Sequence, residues 1–287
     1  MCGAGMRTCH HGGTTRPSAP RLAASLPVTD LLSVRRFGPR RPPRILALHG
    51  LTGHGQRWET LFAGHLAEYP TLAPDLLGHG RSSWAAPWTI EANVAALAAL
   101  LDAEADAPVW VVAHSFGGAV ALTLAASRPD LVAGLILLDP AVGLDGNWMR
   151  EIADAMLQSP DFADRDEARA DKTSGSWGEV DAAELERELD EHLVALPNGR
   201  VGWRIGIPAV MSYWSELARP IAAPRPGTPT TVVRAARTEP PYVTDELVST
   251  LRGALGPDFT LLDLDCDHMV PLAKPVETAR LIRDLVG

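Results

Sequence analysis

Cysteine is scarce. Only Cys2, Cys9 and Cys266 occur in 287 residues, an odd number with two at the N-terminus, which excludes a disulfide framework. Cys9 and His10 are adjacent, but no second ligand pair at zinc spacing follows, so no metal site is expected. Lysine is scarcer still: Lys172 and Lys274 stand against 24 arginines, a coding bias that says little about function. Positive charge is in deficit, with a net charge of −9 and a pI near 5.5. That excludes the clustered basic surface a nucleic-acid binder needs.

Long apolar runs are also missing. The longest, such as 131–138, fall far short of the roughly 20 residues of a membrane helix. The N-terminal segment is rich in Gly, Thr, Ser, Arg and Pro and lacks the apolar stretch of a secretory signal; Met6 is an alternative start. The expectations are a disordered tail over 1–28, a cytoplasmic location and no stable membrane insertion. A homodimer is left open.

What is present is ordinary for a folded domain: 46% apolar and 21% charged residues, which excludes disorder as the main state. The chain is long enough for one large domain or a domain with an inserted subdomain. Short apolar runs, each read as a strand, occur at 31–37, 44–48, 71–75, 108–113, 131–138, 230–234 and 259–264. Helical patterns at 57–68, 90–103, 117–126, 244–255 and 276–286 separate most of them. Buried strands alternating with helices predict an α/β fold, a mostly parallel central sheet with helices on both faces. The rhythm stops over 141–220, which reads as a helical insertion between two parts of one core, 29–140 and 221–287.

The negative charge concentrates in that insertion. Residues 151–191 hold 14 acidic side chains and only four basic ones. Leu185, Leu189, His192 and Leu193 recur at helical spacing among them, as in an amphipathic helix with a solvated outer face. A functional version of this block would repel anionic substrates.

The stretch that carries chemistry is Val111-Val112-Ala113-His114-Ser115-Phe116-Gly117-Gly118. A serine at a sharp strand-to-helix turn has its hydroxyl pushed to the top of the sheet, and the positions two residues away must be small. Ala113 and Gly117 meet that need, although the common form has glycine at both. A serine that only caps a helix is the plainer alternative. Two loops argue against it: His49-Gly50-Leu51-Thr52-Gly53, which can aim a backbone N–H at the serine, and the Asp75–Ser83 loop, whose glycines permit a tight return past it.

Together with a late Asp267-His268 pair, these motifs resemble the α/β-hydrolase fold family over residues 29–287. The resemblance implies a lid inserted after the sixth strand and a nucleophile–acid–histidine order along the chain. It assigns Ser115 as nucleophile and His268, the one histidine after the last strand, as base. The acid is expected at Glu239, after the penultimate strand, with Asp139 as the alternative. The oxyanion donors would be the N–H groups of Leu51 and Phe116. His49 and His79 would organise loops, and Asp267 would be structural. No metal, nucleotide or flavin is required, and the glycines at 50, 53, 78 and 80 do not form G-x-G-x-x-G. A serine at the elbow disfavours the haloalkane dehalogenases and epoxide hydrolases, which use aspartate there.

Four of the eight tryptophans, Trp148, Trp177, Trp203 and Trp214, fall in the insertion. Trp148, Trp203, Met211, Trp214 and Met269 are the candidate substrate contacts, and Trp84 and Trp88 are expected near the cleft. The implied function is a serine hydrolase of small to medium, largely apolar carboxylic esters. Alternatives are a carbon–carbon bond hydrolase of ring-cleavage diketones, with Arg204 reaching a substrate carboxylate, and a ligand receptor with little turnover.

Overall fold

The computed structural model describes Met1 and residues 31–287, so the tail expected over 1–28, with Cys9 and His10, lies outside the described residues apart from Met1. Seven strands form the central sheet: β1 (Val34–Phe37), β2 (Ile45–Leu48), β3 (Thr71–Pro74), β4 (Val109–His114), β5 (Val132–Leu138), β8 (Thr230–Ala235) and β9 (Phe259–Leu264). Their order is β1-β3-β2-β4-β5-β8-β9. β1 runs antiparallel to β3 and every other pairing is parallel.

Continuous apolar strands follow from burial on both faces. In β2, Leu46 and Leu48 face one core while Ile45 and Ala47 face another, and in β5 Leu135 and Leu137 oppose Ile136 and Leu138 in the same way. The first core packs against α1 (Ile90–Glu104), α2 (Phe116–Ser127) and α7 (Asp245–Leu255); the second against α9 (Pro275–Val286) and the 55–69 segment. That segment departs from the expected single helix. It is a 3₁₀ turn, Gly55–Trp58, followed by a wider π turn, Thr60–His65, which still buries Trp58, Leu61 and Phe62.

The insertion between β5 and β8 comprises α3 (Gly146–Gln158), α4 (Arg165–Ser174), α5 (Ala182–His192), a hairpin of β6 (Leu193–Ala195) and β7 (Val201–Trp203), and α6 (Ile207–Glu216). Two expectations are corrected. The insertion follows the fifth strand among the described residues, not the sixth, because the sheet starts with β1 at Val34. Nor is it wholly helical: the turn at Asn198-Gly199, with Gly199 at φ +81, closes the β6–β7 hairpin. A small core of its own (Phe162, Trp177, Leu185, Leu189) reaches the body through Met269 and Leu272, the latter on α8 (Val270–Ala273). Among the described residues no helix is long and apolar enough to cross a membrane.

Candidate active site

Ser115 stands between β4 and α2 with φ 52 and ψ −121, a left-handed conformation that a non-glycine residue holds only when its surroundings impose it. Its N–H donates to the Leu138 carbonyl at 3.2 Å, and its own carbonyl accepts from Gly118 and Ala141. The small neighbours are required. A side chain on Gly117 would start 2.6 Å from the Leu48 carbonyl oxygen, and one on Gly50 would start 2.9 Å from the Ser115 Cβ.

His268 Nε2 lies 3.0 Å from Ser115 Oγ, and its Nδ1 lies 2.6 Å from Asp139 Oδ2. Asp139 is fully buried, and its Oδ1 accepts the Ala235 N–H at 3.0 Å. The carboxylate that meets His268 is thus the alternative, Asp139, and not the expected Glu239. Asp139, at the end of β5, takes the last strand N–H and turns its other oxygen to His268; Glu239 lies four residues past the strand in an exposed turn. From that same turn Tyr242 folds in, with its ring 4.3 Å from that of His268. Burial, with the charges of Asp139 and Asp267, pushes the Tyr242 hydroxyl up to about 12. His114 points away from the serine hydroxyl and donates from Nε2 to the His268 carbonyl at 2.8 Å. Asp267 accepts the His268 N–H at 2.6 Å.

Leu51 lines the cavity at Ser115 and Phe116 follows it directly, and among the described residues neither backbone N–H has an acceptor. Phe116 opens α2, so its N–H also lies at the positive end of a helix dipole. The loops around them are tied by neutral histidines. His49 donates to the Gly50 carbonyl at 2.8 Å and accepts the Leu76 N–H at 2.8 Å. His79 donates to the Leu77 carbonyl and accepts from the Thr52 N–H at 3.3 Å. Burial holds His49 well below the usual histidine range, and it pushes His79 down to about 4. Asp75 accepts from Gly55 and Arg81, closing the second loop.

A sequence profile of the alpha/beta hydrolase family matches residues 45–281. The chain belongs to the α/β-hydrolase family. It is 63% identical over 256 residues to the lipase LipV of Mycobacterium tuberculosis, spanning 89% of this chain and 98% of that protein. The esterase Rv0045c of the same species is 40% identical over 110 residues, 38% of this chain and 36% of its own length. In fold, the hydrolase resembles the crystal structure of E-2-(acetamidomethylene)succinate hydrolase, with a TM-score of 0.76 at 20% identity over 89% of this chain and 94% of that one.

A cavity of about 160 Å³ opens on Ser115 and His268 in this α/β-hydrolase, walled by Leu51, Trp177, Trp214, Tyr242 and Met269. A cleft of about 410 Å³ lies beside it, formed almost wholly by the insertion, with Ile152, Met156, Phe162 and Trp203 but also Asp171 and Lys172 in its wall. Thr52, Ser176, Trp177 and Trp214 line both. Of the expected contacts, Trp203, Trp214 and Met269 thus reach these spaces. Trp148 and Met211 do not: Trp148 stacks on Tyr242 at 5.2 Å and touches the site only through it. Met211 is on α6 between the inward Val210 and Tyr213 but lines neither space. Trp84 is 45% exposed, and neither it nor Trp88 nor Arg204 lines either space.

The acidic block of the hydrolase also departs from a solvated face. Glu188, between Leu185 and Leu189, is buried and contacts His54 at 2.8 Å, Lys172 at 2.9 Å and Arg57. Burial pushes its carboxyl up, but the charges of Arg57, Lys172 and His54 outweigh that and hold it well below the usual carboxylate range. Burial brings Lys172 down to about 8, with its ammonium 4.2 Å from the ring centres of both Trp177 and Trp203. His54, Glu188 and His192 bring ligand atoms within 4.8 Å of one another, yet Arg57 and Lys172 already neutralise the carboxylate a metal would need. Sequence reasoning missed this cluster because its members are spread from 54 to 192; the one local signal was a glutamate on the apolar stripe of α5.

Proposed function

We propose that this protein is a serine ester hydrolase acting through an acyl-enzyme on small to medium, largely apolar carboxylic esters. The observation that carries the reading is the hydrogen-bonded chain from Ser115 through His268 to Asp139, beneath two backbone N–H groups without acceptors. The similarity to a lipase over nearly the whole chain supports the same class.

An alcohol is a weak nucleophile at neutral pH. In this reading His268 Nε2 takes the Ser115 proton as Oγ bonds to the ester carbon. Asp139 holds the Nδ1–H, which fixes the tautomer and stabilises the imidazolium. The carbonyl oxygen becomes an oxyanion and meets the N–H groups of Leu51 and Phe116; one such donor contributes about 3 kcal/mol of barrier lowering. His268 then protonates the leaving alcohol. Water attacks the acyl-enzyme with His268 again as base, and Ser115 is released. The insertion acts as a lid: Trp177 and Trp214 stand between the reaction cavity and the larger cleft, whose apolar residues Ile152, Met156, Phe162 and Trp203 suit a hydrocarbon acyl or alcohol group.

A fluorophosphonate probe tests this directly. The expected result is labelling at Ser115, with turnover of p-nitrophenyl esters that disappears in Ser115→Ala. No labelling at Ser115, or ester turnover that survives Ser115→Ala, overturns the reading.

A further inference from the structure

The Leu51 N–H does not stand alone. Leu51 shares its peptide group with the Gly50 carbonyl, which accepts from the Gly53 N–H at 2.9 Å and from His49. Gly53 shares its peptide group with the Thr52 carbonyl, and this one accepts from outside the loop: Arg57 Nη2 at 3.0 Å and His192 Nε2 at 3.1 Å. Because a trans peptide points its N–H and C=O in opposite directions, two peptide planes in series connect the insertion to the oxyanion position. His192 ends α5, and Arg57 is in turn clasped by Glu188 of the same helix. The loop needs such support. Thr52 is a non-glycine residue at φ +62, and residues in that region persist only where their surroundings over-determine them.

We infer that His192, together with Arg57 anchored by Glu188, is a positioning group that aims the Leu51 N–H at the oxyanion through the Thr52–Gly53 and Gly50–Leu51 peptides. The oxyanion donor is then complete only when the insertion is docked. Hydrogen bonds in series also polarise one another, so the same donors strengthen the Leu51 N–H. This inference rests on the ester-hydrolase reading. His54 stacks on His192 with ring centres 4.2 Å apart and keeps its ring facing the carbonyl.

The test compares His192→Gln, whose amide can donate to the Thr52 carbonyl, with His192→Met, similar in size and without a donor. Active sites are counted by fluorophosphonate titration. The readouts are kcat and KM on p-nitrophenyl butyrate and the affinity of a trifluoromethyl ketone, whose adduct places an oxyanion in the hole. Losing the aim of a single donor should lower kcat about tenfold in His192→Met, with KM within about twofold and ketone affinity falling in parallel. His192→Gln should recover most of the loss. A His192→Met enzyme with kcat within twofold of wild type overturns the inference, as does an equal loss in His192→Gln, which would mean that the imidazole only fills space. If His192→Met does not fold, His192→Asn replaces it, because its shorter amide falls out of reach of the carbonyl. A wild-type protein that neither labels nor turns over esters removes the ester-hydrolase reading instead, and this inference with it.

Discussion

The body and the insertion are held by different forces. In the body, β2, β4 and β5 bury aliphatic side chains on both faces, and helices cover them. The insertion has a core of only a few large apolar residues, and α5 docks through charge: Glu188 on Arg57 and His54, and Glu191 on Arg35 and Arg81. Ahead of that helix, Glu179 pairs with Arg237. Arginines of a nearly neutral body thus answer carboxylates of an acidic insertion. The composition that looks like a solvated face is partly an interface. A body held by apolar burial is insensitive to salt; an attachment made of ion pairs responds to it.

The largest expected effect lies wholly in the body. Asp139→Asn should lower kcat about 10⁴-fold by favouring the wrong histidine tautomer, while the exposed Glu239→Gln leaves it within about twofold; steady-state kinetics on p-nitrophenyl esters reads both. The reverse pattern would mean that β8, not β5, supplies the acid. A smaller effect belongs to the interface. Glu188→Gln leaves Arg57 and Lys172 buried without their counter-charge and should cost about 3–5 kcal/mol of stability. Glu191→Gln breaks only part-exposed pairs and should cost less than about 1 kcal/mol. Urea unfolding of the two variants measures the gap, and equal costs would erase the distinction drawn between buried and rim charges.

The smallest effect per group is a pH dependence. His49, His79, His114 and His192 are all held below the ordinary histidine value, chiefly by burial. The unfolded chain therefore binds more protons than the folded one below about pH 6.5, where each histidine removes up to about 1.4 kcal/mol of stability per pH unit. Their contribution is complete above that pH and is lost on acidification. Urea midpoints recorded from pH 8 to pH 5 should fall in this direction. His192→Gln should flatten the curve by one histidine's share, and an unchanged slope would place His192 among groups that titrate freely.

Much of this was legible in the sequence because it is local. The strand at Val109–His114, the elbow at Ser115 and the small residues around it are neighbours in the chain, and the position of His268 after the last strand left one candidate. The acid was not local. Asp139 and Glu239 both follow strands, and the choice turns on which carboxylate receives the Ala235 N–H, a pairing across 96 residues. The docking face of α5 was hidden for the same reason: nothing near Glu188 in the chain announces Arg57 or His54. Periodicity also overstated the 55–66 segment, where Trp58, Leu61 and Phe62 face inward with helical spacing while the backbone winds as a 3₁₀ and then a π turn.

The pairing of His268 with a carboxylate at the end of β5 matters for how the enzyme comes into being on the ribosome. Ser115 and Asp139 belong to one strand–helix–strand unit, and both are synthesised before any of the insertion. His268 follows 129 residues after Asp139, behind the entire insertion and its docking carboxylates. A nascent chain therefore carries Ser115 and Asp139 with no imidazole between them, and the hydrogen-bonded chain closes only when the final stretch has been made and packed.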